Sequence, residues 1–201
     1  MKIVILPGVG FKNIPPWTEL LLRKLKSLDN CEVEWFDWKH NLNLPISQHL
    51  IDLNFSDFRK WVCEVILDFQ MVVKHAKEVV IPECDYIIGH SAGSIIALVN
   101  NIPSIIFGSP AILVEDILRD KIRDLTVNKK IYNIIHESDV LAYPIPFNDV
   151  ENITYQTSVL NYTHWLPMQA HRSYWNNPVV VKLILNKLIE WQKDKIKSKG
   201  S

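Results

Sequence analysis

The stretch Tyr86-Ile87-Ile88-Gly89-His90-Ser91-Ala92-Gly93-Ser94 is an apolar strand that runs into a G-x-S-x-G turn and then into small residues suited to a helix. A serine hydroxyl is a weak nucleophile, so it needs a tight turn that lifts it out of a sheet to where a base can reach it. Gly89 and Gly93 leave room for the strand and helix backbones to approach on either side of that turn. With 6 glycines in 201 residues, chance gives about 0.01 such matches per chain of this composition. The motif therefore weighs heavily against the bland alternative, a Gly-Ser turn between an ordinary strand and helix.

Outward from the turn, apolar runs alternate with helical patterns. Towards the N-terminus, Ile3 to Leu6 reads as a buried strand ended by Pro7-Gly8-Val9-Gly10. Pro15-Pro16 opens a helix with Leu20, Leu21, Lys24 and Leu28 at helical spacing, and Glu32 to Trp38 reads as a second strand. Residues 39–55 lose periodicity and are expected to form a lid, a substrate-wall loop or an irregular excursion. Ser56 suits an N-cap for a long helix whose face is Phe58, Val62, Val65, Phe69, Val72 and Ala76.

Towards the C-terminus, strands are expected over Ile102 to Phe107, Ile131 to His136 and Ile153 to Val159, with a helix from Ala111 to about Asp124. A last helix starts at Pro178 and aligns Val180, Ile184, Leu188 and Trp191. The alternation predicts a three-layer α/β/α fold, a mostly parallel six-stranded sheet with helices on both faces and function at the strands' carboxyl ends. The whole of 1–201 is expected to be one domain with a basic tail at 193–201.

Composition narrows the function classes. Lys plus Arg and Asp plus Glu both number 22, so the net charge is zero and no basic field exists to attract nucleic acid or an anionic membrane. No run is long enough to span a bilayer and no secretory leader is visible. The 3 cysteines, Cys31, Cys63 and Cys84, form neither a disulfide framework nor a metal motif, and a reducing, cytoplasmic setting is expected. Oligomeric state is left open.

A serine nucleophile requires a base, and the base requires a carboxylate that fixes its tautomer and stabilises its cation. Asp139 lies just past the fifth strand, with Glu137 as the rival acid. His164 and His171 both lie past the sixth. The order is serine, acid, histidine. His40, His49, His75, His90 and His136 read as structural or merely exposed. The backbone N–H of Ala92, at the start of the helix after the serine, is one expected oxyanion donor. The loop after the first strand offers the second, from Val9 or Gly10.

The G-x-S-x-G turn, the Leu6-Pro7-Gly8 strand end and the later acid and histidine loops together resemble the α/β-hydrolase superfamily over nearly the whole chain. Six strands correspond to that fold's core without its two leading antiparallel strands. Phe107-Gly108-Ser109-Pro110, His136-Glu137-Ser138-Asp139-Val140 and His171-Arg172-Ser173-Tyr174-Trp175 are similar to stretches of class 3 lipases. The resemblance implies Val9 as the second oxyanion donor and favours His171 over His164, because the base of that fold sits on the loop leading into the final helix. The implied activity is carboxylic ester hydrolysis on a small-molecule substrate, through an acyl-serine and without a cofactor or metal. Thioester or amide cleavage on the same triad, or a binding protein that kept the fold without turnover, are the alternatives.

Overall fold

The computed structural model of the chain describes residues 1–8, 14–41, 58–116, 129–147, 150–156 and 167–199. Within them lie six strands, β1 (Lys2–Leu6), β2 (Glu32–Trp35), β3 (Tyr86–His90), β4 (Ser104–Phe107), β5 (Ile131–His136) and β6 (Val150–Tyr155). Five α-helices accompany them, α1 (Glu19–Lys26), α2 (Phe58–His75), α3 (Ala92–Leu98), α4 (Pro167–Ser173) and α5 (Pro178–Lys199). The sheet order is β2-β1-β3-β4-β5-β6, and every neighbouring pair is parallel.

The continuous apolar runs of β1, β3 and β4 follow from burial on both faces, which a parallel sheet between helices demands. Alternate residues point to opposite layers. Val4, Leu6, Ile87 and Ile106 pack with α2 and α3 in one cluster. Ile3, Ile5, Ile88, Ile105 and Phe107 pack with Leu21 and Leu25 of α1 and with Val180, Ile184 and Leu188 of α5 in the other. Each fully buried aliphatic side chain here contributes about 1.5–3 kcal/mol against exposure.

The chain first steps from β1 to β2, then returns across β1 to β3 and continues in that direction to β6. Right-handed crossovers in opposite senses put their helices on opposite faces, which is why α1 lies on one side and α2 and α3 on the other. The reversal leaves β1 and β3 adjacent at the switch point, Leu6 opposite Gly89. In open parallel sheets the carboxyl ends beside such a switch point are where ligands bind.

Several boundaries differ from the sequence expectation. β2 stops at Trp35, and a 3₁₀ turn over Trp38–Asn41 follows, because Trp38 is pulled inward to hydrogen-bond the Pro7 carbonyl at 2.8 Å. β4 begins at Ser104, past Pro103, whose missing N–H cannot join a ladder. β6 is Val150–Tyr155 where Ile153 to Val159 was expected: Asn152 pairs opposite Asn133 and extends the ladder towards the N-terminus, while 157–159 lie outside the described residues. The buried face of α1 is Leu21 and Leu25, with Lys24 outside. Ala111–Val114 is a 3₁₀ turn, and most of the helix expected after it lies outside the described residues, as do Ser56 and all but the first three residues of the expected 39–55 loop. The basic tail continues α5 as far as Lys199.

Candidate active site

Ser91 follows β3 and caps α3, with φ 53° and ψ −126°. That conformation is open to few non-glycine residues and stores about 1–3 kcal/mol of strain. The surroundings hold it in place. The Ser91 N–H donates to Phe107 O at 3.2 Å, and the Ser91 carbonyl accepts from the Ser94 N–H at 2.9 Å and from the Ser94 hydroxyl at 2.5 Å. Ser94 Oγ lies 2.7 Å from Ser109 Oγ; as Ser94 spends its one proton on Ser91, Ser109 is the donor to Ser94.

The expected room for the two glycines is visible as distance. A Cβ on Gly93 would fall 2.1 Å from Leu6 O, and one on Gly89 would fall 2.9 Å from Gly93 O. Gly8 lies against the serine itself: its Cβ would meet Ser91 Cβ at 3.0 Å and Oγ at 3.4 Å. Gly8 thus borders the hydroxyl, and Val9 and Gly10, the expected oxyanion donors, lie outside the described residues. Ala92 is the first residue of α3, where backbone N–H groups have no partner inside the helix.

Asp139 and His171 come together across 32 residues, with Nδ1 of the buried imidazole 2.9 Å from Asp139 Oδ2. Tyr174 Oη donates to the same oxygen at 2.9 Å, and the Leu141 N–H donates to Oδ1 at 3.0 Å. Burial pushes the Asp139 carboxyl up. His171 beside it and the hydrogen bonds from His171, Leu141 and Tyr174 outweigh that and hold it below its ordinary value of 3.8. An ionised acceptor directs the His171 Nδ1 proton towards itself and leaves Nε2 as the basic nitrogen. Glu137, the rival acid, is exposed. His164 lies outside the described residues.

His171 sits on α4, where the sequence suggested a loop. The short helix gives its backbone a fixed direction. Among the described residues no hydrogen bond joins His171 to Ser91.

Three supports went unread in the sequence. Gly108, at φ 59°, passes so close beneath the base that a Cβ would fall 3.0 Å from His171 Cε1. The Tyr174 hydroxyl, already donating to Asp139, also accepts the His136 N–H at 2.8 Å, which joins β5 to the acid. Asn133 donates to Tyr143 O at 3.1 Å and to Asn152 Oδ1 at 2.9 Å, while Asn152 bonds both the N–H and the carbonyl of Ile145. These amides clamp the proline-rich segment that follows Asp139. A buried asparagine in a β-rich run, Asn133, was the available signal.

A cavity of about 530 Å³ lies at the other end of the sheet, bounded by Cys84, Tyr86, Trp191 and Ser198. Its charges are already paired, Lys130 with Asp194 at 2.8 Å and Lys195 with Asp85 at 2.6 Å. Burial pushes the Cys84 thiol up to about 11, which holds it as the thiol at neutral pH. The strained serine and the acid–base pair are all at the carboxyl ends.

Among the described residues no helix is long and apolar enough to cross a membrane, and no cluster of His, Cys, Asp and Glu could hold a metal ion. No family model, no curated protein and no solved structure matches the chain.

Proposed function

We propose that the chain is a serine hydrolase that cleaves carboxylic esters, built as a small α/β-hydrolase. The observation that carries this reading is the buried 2.9 Å Asp139–His171 pair at the same end of the sheet as Ser91 in its strained turn. An ordinary structural ion pair needs no strained serine at a topological switch point, and an ordinary turn needs no buried acid–base pair.

In the reaction, Ser91 Oγ attacks the ester carbonyl carbon while His171 Nε2 takes the hydroxyl proton. The carbonyl π electrons move to oxygen, and the oxyanion faces the Ala92 N–H, with Val9 as the proposed second donor. Collapse expels the alcohol oxygen, which takes the proton from His171 and leaves an acyl-serine. Water then repeats the sequence: His171 removes its proton, the carboxylic acid departs and Ser91 regains its hydrogen. Asp139 stays ionised throughout and stabilises the imidazolium.

The test is turnover of p-nitrophenyl esters of increasing chain length, with fluorophosphonate labelling of Ser91. Ser91→Ala should abolish labelling and cost about 10⁶ in kcat if the triad acts as the subtilisin one does. A folded wild-type protein that neither labels nor turns over any ester would mark a binding protein on a hydrolase-like frame.

A further inference from the structure

His90 precedes the serine, and the reaction above gives it no part. Its ring is 1% exposed, and Nε2 lies 2.9 Å from the carbonyl oxygen of His171. A carbonyl only accepts, so Nε2 carries the proton. The two imidazoles face each other with centroids 4.8 Å apart, and Phe107 and Trp175 close on His90 at 5.2 and 5.3 Å.

His171 is in the last turn of α4, where helix carbonyls lack an intrahelical donor. The His90 N–H meets that need, from a residue bonded in sequence to Ser91. Asp139 bonds the ring of His171 and so governs its rotation, whereas His90 bonds the main chain and so governs where the ring starts from. Both are required if Nε2 is to come within reach of Oγ, since misplacement by about 1 Å can cost 10²-fold in rate.

We propose that His90 is a positioning residue: by pinning the His171 carbonyl from the position next to the nucleophile, it sets the distance between Ser91 and the base. This rests on the serine-hydrolase reading. It also fits the choice of residue, because a ring fills the aromatic enclosure while its far nitrogen reaches the carbonyl.

The test compares His90→Phe, which keeps a ring without the N–H, with His90→Gln, whose amide nitrogen reaches about as far as Nε2, and His90→Asn, whose amide falls short. On a p-nitrophenyl ester, Phe and Asn should lower kcat by about 10- to 100-fold with KM within about twofold, and Gln should recover most of the loss. The rate of fluorophosphonate labelling should fall in parallel. A second readout needs no turnover: the downfield NMR resonance of the His171 Nδ1 proton should broaden in Phe and Asn and persist in Gln. Equal activity and an unchanged resonance in Gln and Asn would overturn the proposal, even if Phe fails to fold, as would losses that only track the melting temperature. A wild-type protein inert to both ester and probe would instead sink the hydrolase reading and leave the resonance to decide the positioning role.

Discussion

At the residue scale, the site is made of side chains whose ionisation the fold has chosen. Burial, and after it the neighbouring His171, lower the His90 pKa from 6.5 to about 3, against the opposing pull of the His171 carbonyl and Asp139. The folded state therefore refuses a proton that the unfolded chain accepts below pH 6.5, so this residue costs stability as pH falls from about 6.5 to about 3. Urea titrations across that interval should show a shallower acid-side decline in His90→Gln than in wild type, and identical slopes would refute the assignment. Asp139 has the complementary sign: its lowered pKa adds stability above its ordinary 3.8, lost as pH falls through the folded value. Asp139→Asn should keep the fold yet lower kcat by about 10⁴, as loss of the acid does in trypsin by fixing the wrong tautomer. Tyr174→Phe removes one donor to Asp139 and the acceptor for His136, and should cost about 1.5–3 kcal/mol of stability in denaturant melts.

At the element scale, two glycines have separable roles, one in packing the sheet and one beside the proposed base. Gly93 lets α3 pack on β1, and a Cβ 2.1 Å from Leu6 O can be relieved only by moving one backbone or the other. Gly93→Ala should lose more than about 4 kcal/mol or fail to accumulate as folded protein, judged by circular dichroism and urea melts. Gly108 bears on the base. An alanine there would adopt a left-handed φ at about 1–2 kcal/mol and press a methyl against the His171 ring, 3.0 Å from Cε1. Gly108→Ala should therefore stay folded while kcat falls by more than tenfold; a variant with full turnover would show that the ring has freedom to move aside.

At the scale of the whole molecule, the helix that begins after Ser91 is held at its far end as well. The buried Lys129 ammonium donates to the carbonyls of Ala97 and Leu98, capping the helix that begins after Ser91. Burial lowers its pKa from 10.5 to about 7. Between those values the unfolded chain holds a proton that the folded one has released, so this group makes stability rise with pH from about 7 to 10.5. Lys129→Met should remove that rise in melts recorded at pH 7 to 10, and a slope equal to wild type would refute the assignment. The sheet order has an equally broad effect. Because the chain reverses at β1, the serine after β3 and Gly8 after β1 are neighbours, and the turns after β4 and β5 can converge on the same edge.

The sequence by itself determined the alternation of layers, the strand cores at Ile3 to Leu6, Tyr86 to His90 and Ile131 to His136, and the turn at Ser91. Each is written in contacts a few residues apart: continuous apolar runs, helical spacing, and glycines two positions either side of a serine. It also ordered the acid and base candidates after that serine. Only the tertiary structure paired Asp139 with His171, gave the acid a second donor in Tyr174, slid Gly108 beneath the base and set the His90 N–H on the His171 carbonyl. These are contacts between segments 32 to 81 residues apart, or between strand ends aligned by the sheet. Their distances depend on strand order, register and crossover handedness taken together, and local spacing holds none of those three.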